Sequence, residues 1–134
     1  MSTIAPPAHT AYQLGLLHFV HVLMAADGII HQREQLVMEE IKREESISSE
    51  LFDEFRYSIL GKNELQVFRE GVELMNSASD QERLCALVHL YRLSEADENI
   101  HEEEVRFLFN SLKQTQVDFE DVVLASRLAK SKKI

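Results

Sequence analysis

The chain has 134 residues, 45% of them hydrophobic and 28% charged, with a formal net charge of −9. That length suits one domain with its own core rather than two, and the negative balance excludes broad contact with nucleic-acid phosphates. With two Pro, four Gly and one Cys, the chain has few helix breakers and cannot form an intrachain disulfide.

Both prolines, Pro6 and Pro7, sit at the start, where proline is tolerated in the first turn of a helix. The first predicted helix carries Leu14, Leu17, His18, His21 and Val22 on one face, widened by Leu16, Phe19, Val20 and Leu23. A helix apolar on most sides is central. It ends near Ala26-Asp27-Gly28, where Gly28 suits a left-handed C′ position. The second runs from about His31 through Val37, Met38 and Ile41 to about Glu45. Ser46 to Ser49 form a turn with a cap, and Leu51, Phe52, Phe55 and Ile59 give the third helix its stripe, which Gly61 stops. Asn63 to Gln66 read as a capping box opening a fourth helix with Leu65, Phe68, Val72 and Met75 inward. Ser79 to Glu82 form a second box, opening a fifth helix through Leu84, Leu87, Val88 and Tyr91 to about Glu95. A sixth helix carries Val105, Leu108, Phe109 and Leu112, and a seventh runs from about Asp118 to Lys130.

No long apolar/polar alternation of the strand type occurs. The expectation is an all-α single domain over residues 1–134, a bundle of about seven helices, with residues 1–8 and 130–134 frayed. The basic end, Lys130, Lys132 and Lys133, belongs to that frayed tail. The longest apolar run, Leu14 to Ala26, contains His18 and His21 and is too short to span a bilayer, so no membrane contact is expected. The single cysteine and the absence of a leader-like start make the cytoplasm the expected compartment.

One stretch is written twice. ADGIIHQRE at 26–34 returns as ADENIHEEE at 96–104, sharing A-D-x-x-I-H-x-x-E at a spacing of seventy residues. Leu17 matches Leu87 and Leu23 matches Leu93, so the likeness extends into the preceding helices and implies a pseudo-twofold repeat of a helical hairpin. A plain reading makes each copy a tight joint. Ala26 and Ala96 let two helices converge, Ile30 and Ile100 plug the loop into the core, His31 and His101 lie near the next N-cap, and Glu34 and Glu104 satisfy first-turn N–H groups. It leaves Asp27 and Asp97 unexplained, because a carboxylate at a helix C-terminus opposes the dipole, although Asp commonly bonds to loop N–H groups. A second reading brings Asp27, Glu34, Asp97 and Glu104 together across the pseudo-symmetry. Four converging carboxylates repel unless a cation or protons intervene. Oxygen donors favour Ca²⁺, Mg²⁺ or Mn²⁺. His31, His101 and Glu98 would be accessory.

A-D-G-x-I at the end of an apolar helix, a Glu opening the next helix and a second copy in the other half resemble the TerB-like family. Its members include bacterial tellurite-resistance proteins and a segment of some membrane-anchored J-domain cochaperones. The resemblance covers roughly residues 10 to 128. It implies an all-α bundle with acidic residues gathered at paired turns and a divalent-cation site there, onto which Asp27, Glu34, Asp97 and Glu104 map by position. The second copy departs in carrying Glu98 where the first has Gly28, and both carry His where a smaller capping residue is more usual.

Other constellations are weaker. His18 and His21, with His89 brought near by the repeat, could draw Zn²⁺ but lack a fourth ligand. Cys85 sits on a core helix with no activating base in sequence and is expected to be a buried, inert thiol. No nucleophile–base pair or phosphate-binding glycine loop is present, so no enzyme is expected. The leading expectation is a non-catalytic acidic module acting through protein partners in a bacterial stress response of the tellurite type. Its competitors are a metal-dependent enzyme using the same carboxylates and a structural interaction domain without metal. Leu51 and Phe55, or Val122 and Leu128, could form a homodimer face, with core the better assignment.

Overall fold

The computed structural model describes residues 8–26, 31–96, 100–112 and 119–131. Among them are seven helices: α1 (Ala8–Ala26), α2 (His31–Glu44), α3 (Ser49–Ser58), α4 (Glu64–Ser77), α5 (Asp80–Ala96), α6 (Glu102–Ser111) and α7 (Phe119–Ser131). The fold class is all-α, as the sequence predicts. Among the described residues no helix is long and apolar enough to cross a membrane.

The starts of these helices are fixed by local chemistry. Ser48 Oγ accepts from the Leu51 N–H at 3.1 Å and starts α3. Asn63 Oδ1 accepts from Gln66 N–H while Gln66 Oε1 accepts from Asn63 N–H, each at 2.9 Å, so the predicted box starts α4. Ser79 and Glu82 exchange the same pair of bonds at the start of α5. Such caps satisfy N–H groups that the helix itself cannot. Gly61, at φ +74°, makes the turn before α4, a conformation that costs a residue with a Cβ.

α1 is the central helix. Ala11, Leu16, Leu17, Phe19, Val20 and Met24 are fully buried. Its closest neighbour is α4, and small residues permit the approach. A Cβ at Gly71 would lie 2.8 Å from Phe19 Cε1, and one at Gly15 would lie 3.0 Å from Met75 Cε. The inward line of α4 is therefore Val67, Gly71 and Met75. The predicted line is corrected at Leu65, which is 53% exposed. Leu65 lies in the first turn of α4, two residues before the inward line begins. Phe68 and Val72 flank that line half-buried. Arg83 of α5 is buried and donates to the carbonyls of Met75, Asn76 and Ala78 and to Asp80, so a cation closes the C-terminus of α4. On the far side of α5, Phe119 of α7 stacks edge-on against Tyr91 and Phe109.

The relative directions of three helices follow from a few contacts. His9 meets Glu82 and Tyr12 meets Cys85, each pair 73 residues apart. A constant difference means that α1 and α5 run parallel, side by side. Gln13 meets Glu45 while His21 meets Glu34, so α2 returns antiparallel along α1. The repeat offset is seventy residues and the contact offset is 73. Ala26 and Ala96 therefore end their helices at the same end of the pair, within about one turn, ~4.5 Å, of one another along the axis. The repeat also shows in burial: Leu16 and Ala86, Leu17 and Leu87, and Val20 and Leu90 are all core residues.

Candidate functional site

Both copies of the repeated turn leave the same end of the α1–α5 pair. Asp27, Gly28 and Ile30 of the first copy and Asp97, Glu98 and Asn99 of the second lie outside the described residues, as does the side chain of His31. The remaining predicted site residues have defined places.

Glu34 is in the first turn of α2 and reaches back to α1, where its Oε2 accepts from His21 Nδ1 at 2.9 Å. Both side chains are largely buried, His21 at 23% and Glu34 at 17% exposure. The bond from Glu34 raises the His21 pKa; burial opposes it, and the charges of Glu34 and Glu64 add to the rise. Glu34 thus joins the α2 start to α1 and is not only a local cap. Glu104 performs the predicted capping role: its Oε1 accepts from the His101 N–H at 3.0 Å at the start of α6. Ile100 plugs its loop into the core at 3% exposure. His101 is the exposed N-cap residue. Glu102, Glu103 and Glu104 together place three carboxylates on the first turn of α6, the favourable end of its dipole.

The weak zinc constellation of His18, His21 and His89 does not assemble among the described residues. His18 Nδ1 donates to the Leu14 carbonyl at 2.7 Å, and its Nε2 lies 3.7 Å from Glu70 Oε1. His21 belongs to Glu34, and His89 faces Glu44 and Glu45. Each imidazole has its own carboxylate, so the three do not converge among the described metal-capable groups. Cys85 is corrected, being exposed rather than buried. The reason is the parallel docking of α5 on α1, which turns Cys85 to the flank where Tyr12 and the end of α2 meet.

That flank holds a compact polar cluster. Tyr12 O–H donates to Cys85 Sγ at 3.3 Å, Cys85 Sγ lies 3.9 Å from Glu45 Oε2, and His89 Nε2 lies 2.5 Å from the same oxygen. Burial, the Cys85 sulfur and the Glu45 charge all push the Tyr12 pKa upward, so its proton stays on the phenol. Burial raises the Glu45 carboxyl, but bonds from His89 and Tyr12 outweigh it and leave the group below its ordinary value. Burial lowers His89, while its bonds to Cys85 and Glu45 and the accompanying charges bring it up to about 9. Alongside, α2 and α5 are separated by a cleft of ≈ 420 Å³ whose lining includes Glu44, His89, Arg92 and Leu93. The feature in sequence that could have signalled this cluster is the i, i+4 spacing of Cys85 and His89, which puts both on one helical face.

No family model, no curated protein and no solved structure matches this chain.

Proposed function

We propose that the chain is a non-catalytic, TerB-like acidic helical module that holds one hard divalent cation, Ca²⁺, Mg²⁺ or Mn²⁺, between its two repeated turns. It would act through protein partners in the bacterial cytoplasm, in a stress response of the tellurite type. The observation that carries the cation reading is the parallel docking of α1 on α5, which ends both helices, and so starts both acidic turns, on one side of the molecule.

Asp27, Glu34, Asp97 and Glu104 are the proposed ligands, with His31, His101 and Glu98 accessory. A carboxylate has two oxygens. Glu34 can keep His21 on Oε2, and Glu104 can keep the α6 cap on Oε1, while each offers its other oxygen to an ion. The bound cation would remove carboxylate repulsion and join the α1–α2 joint to the α5–α6 joint. It would also change the charge of the face offered to partners. Exposed Leu36, Phe107, Leu124 and Leu128 supply apolar contact area for protein recognition.

The test is calorimetric titration of chelator-treated protein with each of the three ions. Micromolar or tighter binding is expected, and Asp97→Asn/Glu104→Gln should lose it. No binding heat in the wild type, together with no ion-induced rise in melting temperature, would sink the cation reading and leave a structural interaction domain.

A further inference from the structure

The Tyr12, Glu45, Cys85 and His89 cluster is not used by the paired turns, and its chemistry is different. Calcium and magnesium take oxygen ligands. A thiolate, an imidazole and a carboxylate are the donor set of a borderline transition ion, Zn²⁺ above all. We propose that Glu45, Cys85 and His89 form a second, independent cation site, specific for Zn²⁺ and its chemical analogue Co²⁺.

The geometry is nearly assembled. One ligand atom from each of the three residues lies within 4.8 Å of the others. Tetrahedral Zn²⁺ with bonds of roughly 2.0–2.3 Å needs ligand–ligand separations of about 3.3–3.6 Å. The Cys85–Glu45 separation of 3.9 Å would close slightly, and the Glu45–His89 separation of 2.5 Å would open to admit the ion. Side-chain rotations of that size do not require the helices to move. Cys85 and His89 are four apart on α5, the spacing by which a single helix presents two ligands to one metal.

Several supports are already in place around these donors. Glu45 follows α2 directly, and Gln13 Nε2 holds its carbonyl at 2.9 Å, which pins the ligand to α1. His89 turns Nε2 toward Glu45, while Nδ1 lies 3.6 Å from Glu44 Oε1. A carboxylate on the far nitrogen is the arrangement that orients metal-bound histidines. Tyr12 O–H donates to Cys85 Sγ at 3.3 Å and so orients the sulfur. Cys85 is exposed, so an ion and a water as fourth ligand can reach the donors from solvent; the α2–α5 cleft that Glu44 and His89 line lies alongside. An ion pair alone would account for Glu45 and His89. It does not account for an exposed thiol as the third vertex.

The experiment is titration of the untagged, chelator-treated full chain with Co²⁺ under a phosphine reductant, followed by displacement with Zn²⁺. One equivalent should give thiolate-to-cobalt charge-transfer absorption, and Zn²⁺ should abolish it. Cys85→Ser should lose the band, and His89→Gln should weaken binding at least tenfold. Circular dichroism on each variant separates lost ligation from lost folding. No charge-transfer band in the wild type, or a band of wild-type affinity in folded His89→Gln, would overturn the site.

Discussion

Tyr12 and Cys85 hold two helices in register: the phenol of one donates to the sulfur of the other at 3.3 Å, across 73 residues of sequence. Three residues earlier on each helix, His9 and Glu82 repeat the relationship at 3.2 Å. Together these contacts make α1 and α5 parallel neighbours and put the ends of both on one side. A duplicated turn could have been two unrelated joints at opposite poles. Here the same sequence that repeats the joint also repeats the buried positions leading to it, and the C-terminal ends of α1 and α5 lie on one side.

The close approach of α1 and α4 predicts a cost for added volume. Gly71→Ala would put a Cβ 2.8 Å from Phe19 Cε1 and 3.1 Å from His18 Cβ, both on the central helix. Alanine is the better helix former by ~1 kcal/mol, but overpacking a rigid aromatic contact costs about 1–3 kcal/mol. The variant should be less stable than the wild type by urea unfolding. An unchanged or raised midpoint at constant slope would show that α4 can move away from α1 freely.

His18 predicts acid sensitivity. Burial lowers its pKa; the Leu14 carbonyl and Glu70 pull the other way, while Lys62 and His21 add to the lowering. His18 and Glu70 line a surface cavity that Glu54 and Glu73 also border. The folded state therefore binds fewer protons at this site than the unfolded chain. The resulting penalty is absent above the ordinary histidine value near 6.5 and grows as pH falls below it, by at most about 1.4 kcal/mol per pH unit. His21 and His89 shift upward and favour the folded state at acid pH, so the contrast must be made by variant. His18→Asn, which keeps a donor near the Leu14 carbonyl, should be less stable at pH 7 yet lose less stability than the wild type between pH 7 and pH 5. Parallel stability curves would show that His18 does not titrate across the transition.

The sequence made the joints legible because capping is local. Asn63 with Gln66, Ser79 with Glu82, Ser48 and Gly61 announce themselves within four residues, and each marks an observed boundary. The α1 core was legible because its apolar surface is broad. What stayed hidden depends on how helices dock. Leu65 looked inward because Phe68 and Val72 share its side, but Gly71 is the residue that touches α1, and a glycine carries no hydrophobic signal. The apolar residues of α5 are spread over several faces, so periodicity could not say that Cys85 would be exposed or that His89 would face Glu45. Only the parallel register of α1 and α5, with α2 returning beside them, brings Tyr12, Glu45, Cys85 and His89 to one place. Glu34 was readable as a first-turn carboxylate, and its bond to His21 was not.

The most direct test of a shared cation is stoichiometry with each half disabled in turn. Mn²⁺ titration of chelator-treated wild type, Asp27→Asn and Asp97→Asn, followed by the loss of the free-ion paramagnetic signal, counts tight ions per chain. One Mn²⁺ per chain, with at least tenfold weaker binding in either single variant, is the predicted result. Two ions per chain, with each variant losing only one, would mean that the turns bind separately, and no tight Mn²⁺ in the wild type would contradict the cation account altogether.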